Sequence, residues 1–257
     1  FEEFVEGEPI SGGASLSFLP TTNSTVELEY DVDRCREHKI LVPEIAESQS
    51  AAAAAYRVLR TRFVQRARTH LWTSVGISSP GPGEGKSVTT LNLALSIALA
   101  GNHDVYLIDL DLRRPKMWQY IGATPPRGIT DYLTGDATAD EVLFSSNIEN
   151  LVFAGAVSGT NKASELLSSS RVPELFSHIN KTATNALILV DLPPLLSTDD
   201  ALIMGALVDA CLLVVSEGRS RRDGTLKALE LLEDFQDIAG IVMNRSNTMV
   251  TDYYTAY

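Results

Sequence analysis

The chain has few of the residues that form disulfides or transition-metal sites. Its 257 residues include two cysteines, Cys35 and Cys211, and four histidines. The cysteines have no metal-ligand spacing, and the histidines are scattered along the chain. We therefore expect no zinc site, no histidine-based catalysis and no disulfide framework, which fits a protein of the reducing cytosol.

Positive charge is also scarce, because the formal net charge is −12. Residues 1–50 contain 11 acidic and 3 basic residues, a balance of −8, so the remaining 207 residues carry only −4. Phosphate backbones are bound by basic surfaces, and this composition argues against nucleic acid as the main partner.

Long hydrophobic runs are absent from the sequence. None approaches the ~20 residues that span a bilayer, and the longest candidate, around Met204 to Val215, is interrupted by Asp209. We therefore expect the domain itself to be soluble. The chain opens on Phe1 without a secretory signal, so we interpret it as an isolated piece or as the last part of a longer polypeptide whose membrane segments precede it.

The chain divides into three segments. Residues 1–48 mix acidic residues with Ser, Gly, Thr and Pro and show no sustained period, which predicts a flexible acidic leader or linker. Residues 49–250 form the predicted domain, which opens with an arginine-rich helix from Ala51. Residues 251–257 form a tail rich in tyrosine, with Tyr253, Tyr254 and Tyr257.

Strand and helix patterns alternate from Trp72 onward. Most strand candidates are continuous apolar runs, as expected of strands buried on both faces. The predicted strands are 73–78, 105–109, 151–154, 186–191, 211–216 and 238–244, and the predicted helices between them are 87–100, 163–180, 200–207 and 224–236. This alternation predicts an α/β fold: a doubly wound, mainly parallel sheet with helices on both faces, which binds ligands at the carboxyl ends of its strands.

A glycine-rich turn separates the first predicted strand from an Ala/Leu-rich helix. Its sequence is Ser78-Ser79-Pro80-Gly81-Pro82-Gly83-Glu84-Gly85-Lys86-Ser87. In such a turn backbone N–H groups face phosphates, the helix N-terminus adds positive potential, the lysine reaches the β and γ phosphates, and the hydroxyl ligates Mg²⁺. We identify a P-loop and a fold of the P-loop NTPase type, although Pro80 replaces the first glycine of the strict pattern. The alternative is a Gly/Pro turn that ends in Lys-Ser without a ligand.

Two apolar strands end in carboxylates. The strand 105–109 ends at Asp109, and Asp111 follows at a spacing that places both carboxylates on one face of an extended chain. The strand 186–191 ends at Asp191, where a Walker B aspartate would hold the metal and its waters. A lone acid at a strand end is usually a helix or turn cap, but three such acids downstream of a P-loop favour a metal and phosphate site.

The order of these motifs resembles that of the bacterial tyrosine kinases, whose P-loop is followed by hydrophobic-Asp-x-Asp-x-Arg and hydrophobic-Asp-x-Pro-Pro. The resemblance covers residues 51–257 and includes segments 128–133, 164–168 and 240–244. Chromosome-partitioning and septum-positioning ATPases are related but carry an extra lysine where this chain has Gly81. That difference favours the kinase.

The resemblance implies roles for individual residues. Lys86, Asp109 and Asp111 would be catalytic, with Asp109 as the general base on the acceptor tyrosine. Mg²⁺ would be held by Ser87, Asp111 and Asp191. ATP would be bound by Gly81, Pro82, Gly83, Glu84, Gly85, Lys86, Ser87 and Val88, and by Asn244, which resembles the adenine-recognition asparagine of the family. Asn244 is equally well interpreted as a turn residue at a strand end.

Two further features resemble the family. The tail tyrosines Tyr253, Tyr254 and Tyr257 would be autophosphorylated by a neighbouring subunit, the alternative being a tail that packs its aromatics on the domain. Arg57 and Arg60 match the arginines of a Glu-x-x-Arg-x-x-Arg helix that mediates ring assembly, but Ala54 stands at the glutamate position. The basic helix could also lie on anionic lipid or be solvated without a role.

The resemblance therefore predicts a protein-tyrosine autokinase that uses Mg²⁺ and ATP and phosphorylates its tail in trans. It would regulate polymerisation or export of a capsular or extracellular polysaccharide, in the cytoplasm at the inner face of the membrane. Its partners would be further copies of itself and a membrane-spanning activator or fused transmembrane region. The alternatives are a P-loop ATPase switch that positions cargo and a nucleotide-binding scaffold without turnover.

Overall fold

The computed structural model describes residues 27–46, 50–233 and 237–246, and it contains an eight-stranded sheet. The strands are β1 (Glu27–Leu28), β2 (Ser74–Ser78), β3 (Asp104–Asp109), β4 (Phe144–Ser146), β5 (Leu151–Gly155), β6 (Ala186–Asp191), β7 (Ala210–Ser216) and β8 (Ile238–Asn244). The helices are α1 (Val32–Glu37), α2 (Pro43–Ala46), α3 (Ala51–His70), α4 (Lys86–Ala98), α5 (Met117–Ile121), α6 (Ile129–Thr134), α7 (Ala163–Leu167), α8 (Arg171–Thr182), α9 (Asp200–Gly205) and α10 (Arg222–Leu232).

The sheet has the order β1-β4-β5-β3-β6-β2-β7-β8. Neighbouring strands are parallel except β4 and β5, which are antiparallel. The six predicted strands appear as β2, β3, β5, β6, β7 and β8, each within one residue of its predicted ends. The predicted mainly parallel α/β fold is therefore confirmed.

Both faces of the central strands are buried. In β3, Val105 and Leu107 pack in the core beneath α3 and α4, whereas Tyr106 and Ile108 pack in the core on the opposite face, beneath α6 to α10. Successive side chains of a strand point to opposite faces, so a strand between two helical layers must be apolar at every position. This requirement explains the uninterrupted apolar runs of the sequence.

The sheet order brings the chemically active segments together. β6 lies between β3 and β2, with Asp109 opposite Asp191 and Ile77 opposite Asp191 on its other side. The strands are parallel, so their carboxyl ends lie at the same edge, where the turn after β2 leads into α4. The predicted P-loop and the strand-end acids therefore share one site.

One predicted helix is divided in two. The sequence favours a single helix over 163–180, but the structure has α7 and α8, separated by Ser168, Ser169 and Ser170. Serine side chains compete for backbone hydrogen bonds, and Ser168 and Ser169 donate theirs to the carbonyls of Ser164 and Leu166. Pro173 can then lie in the first turn of α8, where no N–H donor is required.

The prediction of a flexible leader does not hold for residues 27–46. This segment contains β1, α1 and α2, and Cys35, Ile40 and Val42 are buried in the core shared with α4. Asn92 of α4 fixes it, because its Nδ2 donates to the carbonyl oxygen of Lys39 at 3.0 Å and its Oδ1 accepts from the N–H of Leu41 at 2.7 Å. The segment has too few apolar residues for a detectable period, and only the contact with α4 reveals its order. The rest of the predicted leader, residues 1–26 and 47–48, lies outside the described residues.

The basic helix α3 is the longest of the described helices, at 20 residues. Ser50 caps its N-terminus by accepting the N–H of Ala53 at 3.1 Å. Within the ranges that the structure covers, no helix combines the length and the apolarity needed to cross a bilayer.

The buried position of Cys35 gives a direct test of order in this segment. Burial, followed by the charges of Asp31 and Glu44, raises the pKa of Cys35 to about 12, and burial raises the pKa of Cys211 to about 12. Since the thiolate is the reactive form, we expect neither thiol to react with a thiol-specific chromogenic disulfide in the native protein at pH 8, and both to react in urea. The packing of residues 27–46 would be contradicted if one thiol reacted rapidly in the native protein and this rapid reaction were lost in Cys35→Ser.

Candidate active site

The P-loop connects β2 to α4 through two glycines with left-handed backbone angles. Gly83 has φ of 75° and Gly85 has φ of 96°, a region that residues with a Cβ rarely adopt. Gly85 precedes α4 and provides no side-chain cap, so the first N–H groups of this 13-residue helix remain available. Free N–H groups and the helix dipole together favour an anion at this end.

Lys86 lies between two carboxylates at the start of α4. Its Nζ is 2.8 Å from Oδ2 of Asp111, 3.1 Å from Oδ1 of Asp191 and 3.3 Å from Oγ of Ser87. The lysine is only 9% exposed. Burial alone would lower the pKa of Lys86, but the charges of Asp191, Asp111 and Asp109 outweigh it and raise that pKa. The lysine is therefore positively charged at neutral pH.

The cluster contains more acidic than basic groups, because Asp111 and Asp191 contact the one ammonium group and Asp109 lies opposite Asp191 on the neighbouring strand. The pKa of Asp191 is raised, since burial outweighs the favourable effects of Lys86 and Ser87. The donors Ser87, Asp111 and Asp191 are the hard oxygen ligands that Mg²⁺ prefers, so the residue types fit this ion. Among the described residues no group of three or more His, Cys, Asp or Glu is arranged to hold a metal unaided.

Asp109 is tied to the loop that follows β3. Its Oδ1 accepts the N–H of Asp111 at 3.0 Å, and its Oδ2 accepts the N–H groups of Lys116 and Met117, both at 3.1 Å. The residue is 1% exposed. A carboxylate has about four acceptor positions, so one remains for a further proton donor. Burial and the charge of Asp191 raise the pKa of Asp109 to about 7, against the opposing effects of Lys86 and the backbone N–H groups.

Arg113 of the Asp-x-Asp-x-Arg motif contacts side chains of α7 and α9. Its Nε donates to Oδ2 of Asp200 at 2.5 Å, and its Nη2 donates to Oδ1 of Asp200 at 3.1 Å and to Oγ of Ser164 at 2.9 Å. Ser164 in turn donates to Oδ1 of Asp200 at 2.6 Å. Burial opposes ionisation of Asp200, but the hydrogen bonds from Arg113 and Ser164 hold its pKa below the usual range. The motif arginine therefore fastens the loop after β3 to α7 and α9.

Sequence analysis assigns no role to Asp200 and Ser164. The signal available was the acidic pair Asp199-Asp200 at the start of a predicted helix. That pair alone does not reveal an arginine 87 positions earlier in the chain as its partner.

Asn244 lies against the P-loop. Its Nδ2 donates to the carbonyl oxygen of Glu84 at 2.8 Å, and its Oδ1 accepts the N–H of Arg245 at 2.8 Å. A Cβ on Gly85 would lie only 2.1 Å from that Nδ2 and would also have to adopt the left-handed φ of 96°, which favours glycine. Both ends of the carboxamide are engaged with backbone, as the strand-end alternative predicts.

Arg57 and Arg60 are not part of this cluster. Arg57 is exposed on α3, and Nη1 of Arg60 donates to the carbonyl oxygen of Ser96 at 3.1 Å. Ser96 is ten residues along α4 from Lys86, which corresponds to about 15 Å. The three tail tyrosines, Tyr253, Tyr254 and Tyr257, lie outside the described residues.

Comparison with known proteins identifies the family. The chain is 33% identical over 202 residues to the tyrosine-protein kinase YwqD of Bacillus subtilis, covering 78% of this chain and 84% of YwqD. It is 32% identical over 181 residues to the tyrosine-protein kinase CpsD of Streptococcus agalactiae, covering 70% and 78% of the two chains. The chain belongs to the bacterial tyrosine kinases. It is therefore a protein-tyrosine kinase.

Solved structures agree with this assignment. The kinase domain of the Escherichia coli tyrosine kinase ETK matches with a TM-score of 0.72 and 25% identity over 81% of this chain and 82% of that domain. The VpsO kinase domain matches with a TM-score of 0.68 and 28% identity, covering 77% of this chain and 96% of that domain. No protein-family model matches the chain.

Other matches define the limits of the assignment. The putative tyrosine-protein kinase EpsB of Ralstonia solanacearum is 30% identical over 242 residues, but the chain spans only 31% of its length. The septum site-determining protein MinD of Pyrococcus horikoshii, complexed with Mg-ADP, matches with a TM-score of 0.57 at 22% identity and shares the fold alone. The ATPase-switch alternative is therefore supported by the fold alone. Membership of the bacterial tyrosine kinases implies that the chain binds a nucleotide.

The charge cluster of this bacterial tyrosine kinase predicts a pH-dependent loss of stability when Lys86 is removed. Lys86→Met would leave buried carboxylates without their counter-charge, and breaking a buried ion pair typically costs about 3–5 kcal/mol. Protonation of the acids can relieve this cost, so the loss in unfolding free energy should be larger at pH 8 than at pH 5.5. Urea denaturation at both pH values would measure it.

The matched control is Lys116→Met, because Lys116 is exposed and its Nζ donates only to Gln119 at 3.0 Å among the contacts described. This variant should change the unfolding free energy by less than about 0.5 kcal/mol at either pH. Equal stability losses for Lys86→Met at pH 5.5 and pH 8 would show that the carboxylates are not coupled to the lysine as the distances indicate.

Proposed function

We propose that this chain is a tyrosine autokinase that transfers the γ-phosphoryl group of ATP to tyrosines of its own C-terminal tail. The observation that carries the proposal is Lys86, held 2.8 Å from Asp111 and 3.1 Å from Asp191 where the P-loop meets two strand ends. A P-loop lysine positioned by metal-binding acids is the arrangement that phosphoryl transfer requires, because this reaction depends on positioning and electrostatic stabilisation.

The side chains divide the work of the reaction. Phosphates at the P-loop would give Lys86 new anionic partners and free Asp111 and Asp191 from it. Ser87, Asp111 and Asp191 would then hold Mg²⁺, which when bound supplies positive charge to the transferring phosphoryl group. Gly81 to Val88 would surround the phosphates, and Asn244 would border the nucleotide from β8.

Asp109 would act as the general base. The tyrosine phenol oxygen forms a bond to the γ-phosphorus while the bond from that phosphorus to the β–γ bridging oxygen breaks. ADP leaves with the bonding electrons, and the phenol proton moves to the one open acceptor position of Asp109. Its raised pKa, about 7, matches the range in which a general base is most effective.

The physiological setting is proposed on the resemblance. The kinase would act in the cytoplasm at the inner face of the membrane, with a membrane-spanning activator or a fused transmembrane region, and would regulate polymerisation or export of a capsular or extracellular polysaccharide. Arg57 and Arg60 would contact a neighbouring copy. Arg57 is exposed, as such a contact needs, whereas Arg60 already bonds Ser96 of its own chain.

Incubation of the purified protein with Mg·ATP, followed by mass spectrometry of the C-terminal peptide, tests the activity. Phosphotyrosine on the tail supports the autokinase. Release of ADP and phosphate without phosphotyrosine would identify an ATPase, and no turnover would identify a binding scaffold.

The proposed base predicts the pH dependence of the reaction. Only the deprotonated carboxylate accepts a proton, so kcat/KM should fall about tenfold per pH unit below a pKa near 7. Asp109→Asn should lower the rate by about 10²–10⁴-fold and abolish this dependence. Binding of ADP over the same pH range is the control. If Asp111→Asn abolished the pH dependence and Asp109→Asn kept it, the base would be Asp111.

The tail predicts transfer between subunits. A tail of a few residues would reach a neighbouring site more easily than its own, so Tyr253, Tyr254 and Tyr257 would be substrates of another subunit. We expect an active subunit with all three changed to Phe to phosphorylate a Lys86→Met subunit with an intact tail, at a rate that rises with protein concentration. A Lys86→Met subunit whose own tyrosines are also changed is the matched control. An inactive subunit that stays unmodified at every concentration would rule out the trans mechanism.

A further inference from the structure

The loop between β7 and α10 reaches across to the P-loop. Ser220 donates its hydroxyl proton to Oε2 of Glu84 at 2.6 Å. Arg219, the preceding residue, donates from Nη2 to the carbonyl oxygen of Pro82 at a longer 3.3 Å. Two segments 136 residues apart are therefore joined beside the nucleotide site.

The Ser220 hydroxyl is fixed in direction. Its oxygen accepts the backbone N–H of Ser216 at 2.7 Å, and a hydroxyl has only one proton to donate. The hydroxyl oxygen is therefore positioned by the last residue of β7, and its one proton is donated to Glu84. Ser220 thus links the P-loop to the end of β7.

Glu84 is held within the P-loop on three sides. Its side chain is buried, at 5% exposure, and its Oε1 accepts the N–H of Gly81 at 3.1 Å. Its carbonyl oxygen accepts from Asn244 at 2.8 Å. The carboxylate thus closes the P-loop on itself with one oxygen and joins it to Ser220 with the other.

This arrangement counteracts the flexibility of the P-loop. Gly83 and Gly85, on either side of Glu84, adopt left-handed angles, and glycine has more backbone freedom than any other residue. A loop that must be ordered by its ligand binds more weakly than one already in the bound shape, because ordering consumes binding free energy. The partly buried bond from Glu84 to Ser220 reduces that cost.

We propose that Ser220 is a positioning residue for nucleotide binding, which acts through Glu84 to keep the P-loop in its phosphate-binding shape. The proposal rests on the P-loop being the nucleotide site of the proposed kinase. It makes the β7–α10 loop part of the nucleotide-binding machinery, although no residue of that loop belongs to the P-loop or the strand-end acids.

The test compares Ser220→Ala with Ser220→Thr. Binding of a fluorescent ADP analogue with Mg²⁺ would be measured by titration. A hydrogen bond to a charged group has enough free energy for about a tenfold change in affinity, so Ser220→Ala should raise the Kd about tenfold. Ser220→Thr keeps the hydroxyl and should restore the Kd to within about twofold of the native protein. Glu84→Gln removes the charge from the other partner and should weaken binding in the same direction.

The matched control is Ser170→Ala. Ser170 donates to Oε1 of Glu174 at 2.8 Å at the exposed start of α8, so this variant removes a bond of the same type away from the P-loop. Its Kd should stay native. In autophosphorylation, Ser220→Ala should raise KM for ATP with kcat changed by less than about threefold, as expected for loss of uniform binding.

Two results would overturn the proposal. One is a folded Ser220→Ala protein with a Kd within twofold of native, and the other is a Ser220→Thr protein as weak as Ser220→Ala. A lowered thermal midpoint with unchanged Kd would mean that the bond is only structural. ADP binding does not require transfer to tyrosine, so a failure of autophosphorylation would be distinguishable from a failure of this proposal.

Discussion

The buried contact of Lys86 with Asp111 and Asp191 is the interaction on which the site depends. An ammonium group and carboxylates leave water only if they compensate one another, so the register of β3, β6 and β2 must place them within reach. That register sets Asp109 beside Asp191 from one side of β6 and brings the end of β2 next to Asp191 from the other. The apolar cores on either side of the sheet hold the carboxyl ends of these strands in place, and the charged side chains there determine which ligands can bind. The excess of acidic groups suits a site that receives a cation and a polyphosphate together.

The loops around this cluster are held by polar side chains rather than by packing. Asp109 accepts hydrogen bonds from three backbone N–H groups of the loop after β3. Arg113, in the same loop, donates two hydrogen bonds to Asp200. On the other side, Glu84 links the P-loop to Ser220. Each is a charged group with several satisfied hydrogen bonds in a buried or partly buried place, where an unsatisfied one would be costly. The loops around the site are thereby held in place by polar contacts before any ligand binds.

The ordered domain begins earlier in the chain than the sequence predicts. Residues 27–46 form β1, α1 and α2 and bury apolar side chains against α4, the helix that carries Lys86 at its start. Asn92 connects this segment to the second turn of α4. What precedes the basic helix α3 is therefore partly a structural support of the nucleotide-site helix.

The sequence by itself determined the fold class, the six main strands and the identity of the P-loop. Doubly buried strands must be apolar throughout, and a glycine-rich turn before a helix has few other uses, so both are visible without a structure. It also determined the family, through the order of the P-loop and the strand-end aspartates. Only the tertiary structure decided the partners of these residues. Nothing local indicates that Arg113 pairs with Asp200 or that Ser220 bonds Glu84, because such pairs are brought together by strand order rather than by spacing. Residues 27–46 are ordered for the same reason: their three buried side chains pack against α4, and this contact is not visible in the local sequence.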